Sequence, residues 1–145
     1  MSGIFGIVSK KNCADMLLYG TDYHSHMGTE YGGMAVMGRQ FHRSIHDISK
    51  SQFKSKFYDD YKTMKGPMGI GVISDRDPQP LIIGSRFGNF AIVVAGLIEN
   101  VNELGSELLK EGIYAARDRL GRTPLVIGEK DGEYAIATET CSFLN

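Results

Sequence analysis

Cysteine is scarce in this 145-residue chain, no sign of charge is in excess, and no apolar run is long. Cys13 and Cys141 have neither metal-ligand spacing nor the density of a disulfide framework, so both are expected as free thiols. Sixteen Lys plus Arg against seventeen Asp plus Glu leave a formal charge of -1, which creates no field to gather nucleic acid or an anionic membrane. The apolar runs, Ile92 to Ala95 and the pieces around Ile4 to Val8, fall far short of the roughly 20 residues a spanning helix needs. No basic segment precedes a signal-like core, so a soluble, cytoplasmic chain is expected. The glycine-rich stretches at Gly3 and Gly69 lack the Gly-Lys-Ser/Thr ending of a phosphate loop, and no cofactor is called for. His24 and His26 are two apart and His42 and His46 four apart, the latter spacing suiting one helical face. Without a carboxylate or cysteine at a recognised distance they read as surface or hydrogen-bonded groups, and no metal is expected.

With 42% hydrophobic residues and no repeat, low-complexity tract or polar linker, residues 1–145 are read as one domain. The pattern is mostly strand-like. Gly3 to Val8 reads as a first strand, and Asn12 as the cap of a helix holding Met16, Leu17 and Tyr23. A second strand covers Gly33 to Met37. From Ser51 to Lys65 the period changes, because Phe53, Phe57, Tyr61 and Met64 recur three and four residues apart and predict a helix with an apolar stripe, ended by Gly66-Pro67. Strands are then expected at Gly69 to Ile73, Leu81 to Gly84 and Asn89 to Val94, the last apolar enough to be central, with Ala91 to Val94 buried in the sheet that receives the aromatic stripe. Asn100 and Glu103 suit a capping box for a helix carrying Leu104, Leu108 and Leu109, with Gly112 as its stop. Strands at Ile113 to Ala116, Pro124 to Ile127 and Tyr134 to Thr138 complete the reading, with Lys130-Asp131-Gly132 turning the last pair into a hairpin.

Several blocks in order carry a resemblance to a known family. Met-Ser-Gly-Ile-Phe-Gly-Ile-Val at the start, His26-Met27-Gly28-Thr29-Glu30, Gly69-Ile70-Gly71 followed by Gln79-Pro80, and Arg117-Asp118-Arg119-Leu120-Gly121-Arg122-Thr123-Pro124-Leu125 resemble class II glutamine amidotransferase domains. The similarity is greatest to the glutaminase part of amidophosphoribosyltransferase. This resemblance implies an α+β fold, a four-layer α/β/β/α sandwich of antiparallel sheets of the Ntn-hydrolase-like type, with the active centre where the first strand begins. In the family dozens of residues intervene near residues 110–114, so either this protein has lost a layer of the fold or residues are missing between Lys110 and Tyr114.

The same resemblance assigns the catalytic and substrate-binding positions. Ser2, exposed if the initiator methionine is removed, stands where the family has its nucleophilic cysteine, and its own α-amine would be the base. A serine hydroxyl demands more of that base than a thiol does. Ala95 and Gly96 match the Asn-Gly oxyanion pair, so Gly96 keeps a backbone donor and Ala95 has none. Ser74 matches the arginine that holds the substrate carboxylate, and Asp75, beside it, would repel the same group. Arg76 is the nearest replacement in sequence. Met27 and Val94 stand where the family has an arginine and often a histidine. Two functions follow: a glutamine-amidotransferase-like protein without normal glutaminase activity, serving a regulatory or partner-binding role, or an amidohydrolase that uses Ser2 on a small amide. The implied partners are a synthase subunit or further copies of the chain.

Overall fold

The computed structural model describes residues 2–86, 88–96, 113–117 and 123–143. Strand β1 (Gly3–Val8) leads through helix α1 (Ala14–Asp22) to strands β2 (Tyr31–Met37) and β3 (Phe41–Asp47). Two short helices, α2 (Phe53–Phe57) and α3 (Asp60–Thr63), precede β4 (Met68–Ser74), β5 (Leu81–Ser85) and β6 (Gly88–Ile92). Strands β7 (Val126–Lys130) and β8 (Glu133–Ala137) come last, followed by a 3-10 turn over Thr140–Phe143. Six strands form one sheet in the order β3-β2-β4-β1-β8-β7, and β5 pairs with β6 in a second. Every pairing is antiparallel. Two antiparallel sheets flanked by helices make the expected α+β sandwich.

Residues opposite one another on antiparallel strands share a face. Phe5 pairs with Gly71 and Ala137, and Gly71 with Met34, so these four point to one side of the main sheet. That side receives α1, whose Leu17 and Leu18 are buried, together with Phe53 and Phe57 from α2. The two phenyl rings stack with centroids 4.3 Å apart. Close approach depends on an absent side chain: a Cβ on Gly71 would lie 2.0 Å from Thr21 Oγ1 of α1. Thr21 turns its hydroxyl into its own helix, donating to the Leu17 carbonyl at 2.7 Å, so no buried donor is left over.

The apolar stripe over 53–64 lies in the core as expected, but the helix is broken in two between Phe57 and Asp60. Asp60 supplies the reason, since its carboxylate accepts from Ser44 and bonds His46 on β3, fixing the second piece against the sheet edge. β3 itself was not foreseen. His42 and His46 therefore lie on a strand rather than a helical face, about 13 Å apart along it, too far to share a metal ion. Asn12 does not cap α1, whose N-cap is Cys13 without a side-chain bond. Its amide instead accepts from the Gly66 N–H at 3.0 Å and donates to the Met64 carbonyl at 3.5 Å, tying the start of α1 to the segment entering β4.

β6 is not a central strand of the main sheet. Among the described residues it pairs with β5 alone, and Ala91 to Val94 are half-buried. An apolar run reports burial without saying in which layer. Residues 113–117 form no strand, and Tyr114 to Arg117 are exposed. The last hairpin forms as read, with Asp131 and Gly132 both at positive φ, 56° and 74°, as a two-residue primed turn requires. The helix expected over 100–112, and the gap expected between Lys110 and Tyr114, lie outside the described residues.

Candidate active site at the head of the first strand

The β1–β4 register pairs Gly3 with Ile73, which brings the next residues on each side, Ser2 and Ser74, to the same end of the sheet. Thr138 completes that end from β8: its hydroxyl accepts from the Ile4 N–H at 3.2 Å, and the Thr138 N–H donates to the Ile4 carbonyl at 3.1 Å. Ser2 is half-buried. Met27, in the loop after α1, is the Sδ partner of Thr138 Oγ1 at 3.9 Å, so a thioether stands near the mouth in place of the cation expected there.

Ser74 is 1% exposed. Its hydroxyl oxygen accepts from the backbone N–H groups of Arg76 at 3.3 Å and Asp77 at 3.4 Å, which closes the turn leaving β4. The side chain at this position is thus spent on its own backbone. Asp75 accepts from the Thr29 N–H at 2.9 Å. Hydrogen bonding from the amino-terminal ammonium outweighs the cost of burial and, with the Thr29 amide, holds the Asp75 carboxyl below the usual carboxylate range. An ionised carboxylate that engages an ammonium favours positive charge at this end of the sheet. Arg76 is exposed on the turn.

Ala95 and Gly96 follow β6. Gly96 has φ 129°, a conformation that side chains rarely adopt, and its Cα faces open space. What positions this loop is Gln79. Its side-chain oxygen accepts from the Val94 N–H at 2.6 Å and its amide donates to the Val94 carbonyl at 3.1 Å, so one buried amide reads both backbone groups just before Ala95. Gln79 in turn is packed over Gly33 of β2. The structure therefore joins Ser2, Ser74 and Asp75 directly at one strand end, and anchors Ala95 and Gly96 through Gln79 to the segment that leaves it.

Against curated proteins the chain is 30% identical over 128 residues to amidophosphoribosyltransferase of Methanocaldococcus jannaschii, a match that covers 77% of this chain and 26% of that protein. It is 28% identical over 126 residues to the isomerizing glutamine–fructose-6-phosphate aminotransferase of Cyanidium caldarium, covering 81% of this chain and 20% of that one. Among solved structures it is similar to an allosteric regulatory enzyme of purine biosynthesis, with a TM-score of 0.78, 20% identity and 97% of this chain against 42% of the other. The chain carries a glutamine-amidotransferase-like domain of the Ntn-hydrolase-like fold. Glutamine phosphoribosylpyrophosphate amidotransferase from B. subtilis, complexed with ADP and GMP, is likewise similar at a TM-score of 0.71 and 19% identity, over 97% of this chain and 42% of that one. No protein-family model matches the chain. The chain spans about a quarter or less of the curated relatives' length.

Two features of this amidotransferase-like domain had no reading as a site in the sequence. Gln79 was visible only as part of a Gln-Pro block, and no periodicity marks a side chain that bonds a backbone fifteen residues away. On the helix side of the same end, His26 Nε2 lies 2.9 Å from Glu139 Oε2, and the Cys141 thiol donates to that oxygen at 3.4 Å. A shallow cavity of about 320 Å³ opens there between Pro124, Val126, Glu139 and Cys141. Burial, followed by the bond to Glu139, raises the Cys141 pKa, which keeps the thiol protonated and a poor nucleophile. His24, fully buried between α1 and the 3-10 turn, bonds the Gly20 carbonyl at 3.0 Å. Among the described residues no group of three metal-ligating side chains comes together. No helix among them is long and apolar enough to cross a membrane.

Proposed function

We propose that this domain lacks normal glutaminase activity and serves a regulatory or partner-binding role in the cytoplasm. The carrying observation is Ser74. At the position where a glutaminase would present a guanidinium to the substrate carboxylate, the side chain is a buried hydroxyl committed to the turn at Arg76 and Asp77. Beside it Asp75 is ionised, which disfavours a second carboxylate. Ala95 offers no side-chain donor to an oxyanion, and losing one such donor typically costs about 2.7 to 4 kcal/mol, or roughly 10² to 10³ in rate. Ser2 adds a less acidic nucleophile to these deficits. The partners such a role would engage are a synthase subunit or further copies of the chain.

A second reading, an amidohydrolase using Ser2 on a small amide, draws support from Gly96, which keeps the backbone N–H that the family resemblance assigns to the oxyanion and has no atom within 4 Å of its would-be Cβ. One experiment separates the two. Ammonia release is measured from glutamine, asparagine and simple aliphatic amides after mass spectrometry has confirmed that Ser2 is the first residue. The expected result is no saturable turnover of any of them. Glutamine turnover abolished by Ser2→Ala would overturn the inactive reading, and turnover confined to a simple amide and lost in the same variant would establish the hydrolase.

A further inference from the structure

His24 takes no part in the chemistry assigned to the Ser2 end, yet it is built into that end. Its side chain is fully buried, and a Cβ on Gly3, the residue after Ser2, would lie 2.4 Å from His24 Cβ. The ring stands just past α1 and faces the 3-10 turn at Thr140–Phe143. Its Nδ1 lies 3.0 Å from the Gly20 carbonyl, which can only accept, so Nδ1 carries the hydrogen. In the neutral ring Nε2 is then an acceptor, and Ser142 Oγ, buried and 3.3 Å from Nε2 against 3.4 Å from Nδ1, donates to it. One imidazole thus ties the end of α1 and the head of β1 to the turn. The other hold on the turn is apolar, the Phe143 ring lying 6.4 Å from that of Phe5 and against Gly128 of β7.

A second proton on the ring reverses this contact. Nε2–H would have to donate to Ser142 Oγ and displace its hydrogen, in a place where both side chains are shut away from water. Burial opposes that proton most, the Gly20 carbonyl and Glu139 favour it, and His26 opposes it. Glu139 stands just ahead of the turn and His26 in the loop after α1, while β1 presents only Gly3, without charge. We propose that His24 is an acid-sensitive latch: neutral, it holds the 140–143 turn on α1 and the head of β1, and protonated, it lets the turn go while the main sheet stays paired. Release opens the helix side of the Ser2 end, so the latch acts whether or not Ser2 turns over an amide.

The two cysteines report local and global opening separately. Cys141 sits in the turn, and Cys13 is fully buried at the start of α1. Labelling of both by dithiodipyridine is followed by mass spectrometry from pH 7.5 to 5.5, each rate normalised to that of a small free thiol at the same pH. One proton can shift an opening equilibrium by up to about tenfold per pH unit, so the normalised Cys141 rate should rise at least about fivefold while Cys13 stays protected. His24→Gln should abolish the rise, and Ser142→Ala should raise the Cys141 rate already at pH 7.5. His26→Gln is the control, since His26 bonds Glu139 beside the thiol, and it should leave the rise in place. A flat Cys141 rate, or a rise that survives His24→Gln or vanishes in His26→Gln, would overturn the proposal. So would Cys13 labelling in step with Cys141, which would show global unfolding. If His24→Gln does not fold, Ser142→Ala decides, and a Cys141 rate equal to that of the parent at pH 7.5 would overturn the latch.

Discussion

At Gly33 a methyl group has nowhere to go. A Cβ there would lie 1.7 Å from the Gln79 carbonyl oxygen and 2.7 Å from Pro80 Cδ, and neither the backbone nor the proline ring can swing aside as the end of a flexible side chain would. Gly33→Ala should therefore cost at least about 3 kcal/mol or prevent folding, at the upper end of overpacking effects. Gly84 is the matched control, since the nearest atom to its would-be Cβ is 3.5 Å away, and Gly84→Ala should be tolerated. Urea midpoints of the two variants check the contrast, and equal stability would show that the 79–80 segment does not rest on β2. A second residue-scale expectation concerns His24. Burial lowers its pKa below the ordinary histidine value, the Gly20 carbonyl offsetting only part of that. The unfolded chain then binds the proton more readily than the folded one, so stability is complete above the unfolded value and falls as pH drops through it toward the lower folded value. The slope is at most about 1.4 kcal/mol per pH unit for one proton. Urea melts between pH 7.5 and 5.5 should show the loss, and His24→Gln should remove most of this pH dependence even if it lowers stability at every pH.

Elements differ in how openly the sequence declares them. The stripe at Phe53, Phe57 and Met64 was legible because a period of three and four residues survives any tertiary context, and all three are buried. Phe57→Ala should cost about 3 to 5 kcal/mol, whereas Tyr58→Ala, next to it but outward, should stay within about 0.5 kcal/mol in a chemical melt. Comparable losses would mean that α2 is rotated from the face described. The Asp131-Gly132 hairpin was legible because few dipeptides accept two positive φ values in succession. β3 was not, since Phe41-His42-Arg43-Ser44-Ile45-His46-Asp47 mixes polar and apolar groups on an edge strand with half-buried faces, leaving no clean alternation. The break between α2 and α3 was hidden for a different reason. It depends on the pull of Ser44 and His46 on Asp60, and those partners come from a strand the sequence did not reveal. Asn12 had the residue type of a cap, yet its amide is used across the fold at Met64 and Gly66.

Taken as a whole, the molecule holds its candidate site on three separate stretches: Ser2, Ser74 with Asp75, and Ala95 with Gly96. Their identities could be aligned one by one from the sequence, whereas the commitment of Ser74 to a buried turn and the clamp of Gln79 on Val94 are tertiary facts. Fold and chemistry are therefore separable here. This has a consequence for attempts to restore activity. Ser2→Cys/Ala95→Asn would supply a thiol and a side-chain oxyanion donor at two half-buried positions. It would leave Ser74 and Asp75 untouched. Extending the repair with Ser74→Arg would force a guanidinium into a position that is 1% exposed and would remove the acceptor for the Arg76 and Asp77 N–H groups, so that variant should lose stability rather than gain substrate binding. The double variant is accordingly expected to fold, to react with a thiol reagent at the introduced sulfur, and still to release no ammonia from glutamine in a saturable way. Thiol labelling, a thermal melt and an ammonia assay over a range of glutamine concentrations check the three parts. Saturable glutamine turnover in the double variant would mean that a group other than the side chain at position 74 holds the carboxylate, and loss of that turnover on adding Arg76→Ala would identify the exposed guanidinium on the turn as that group.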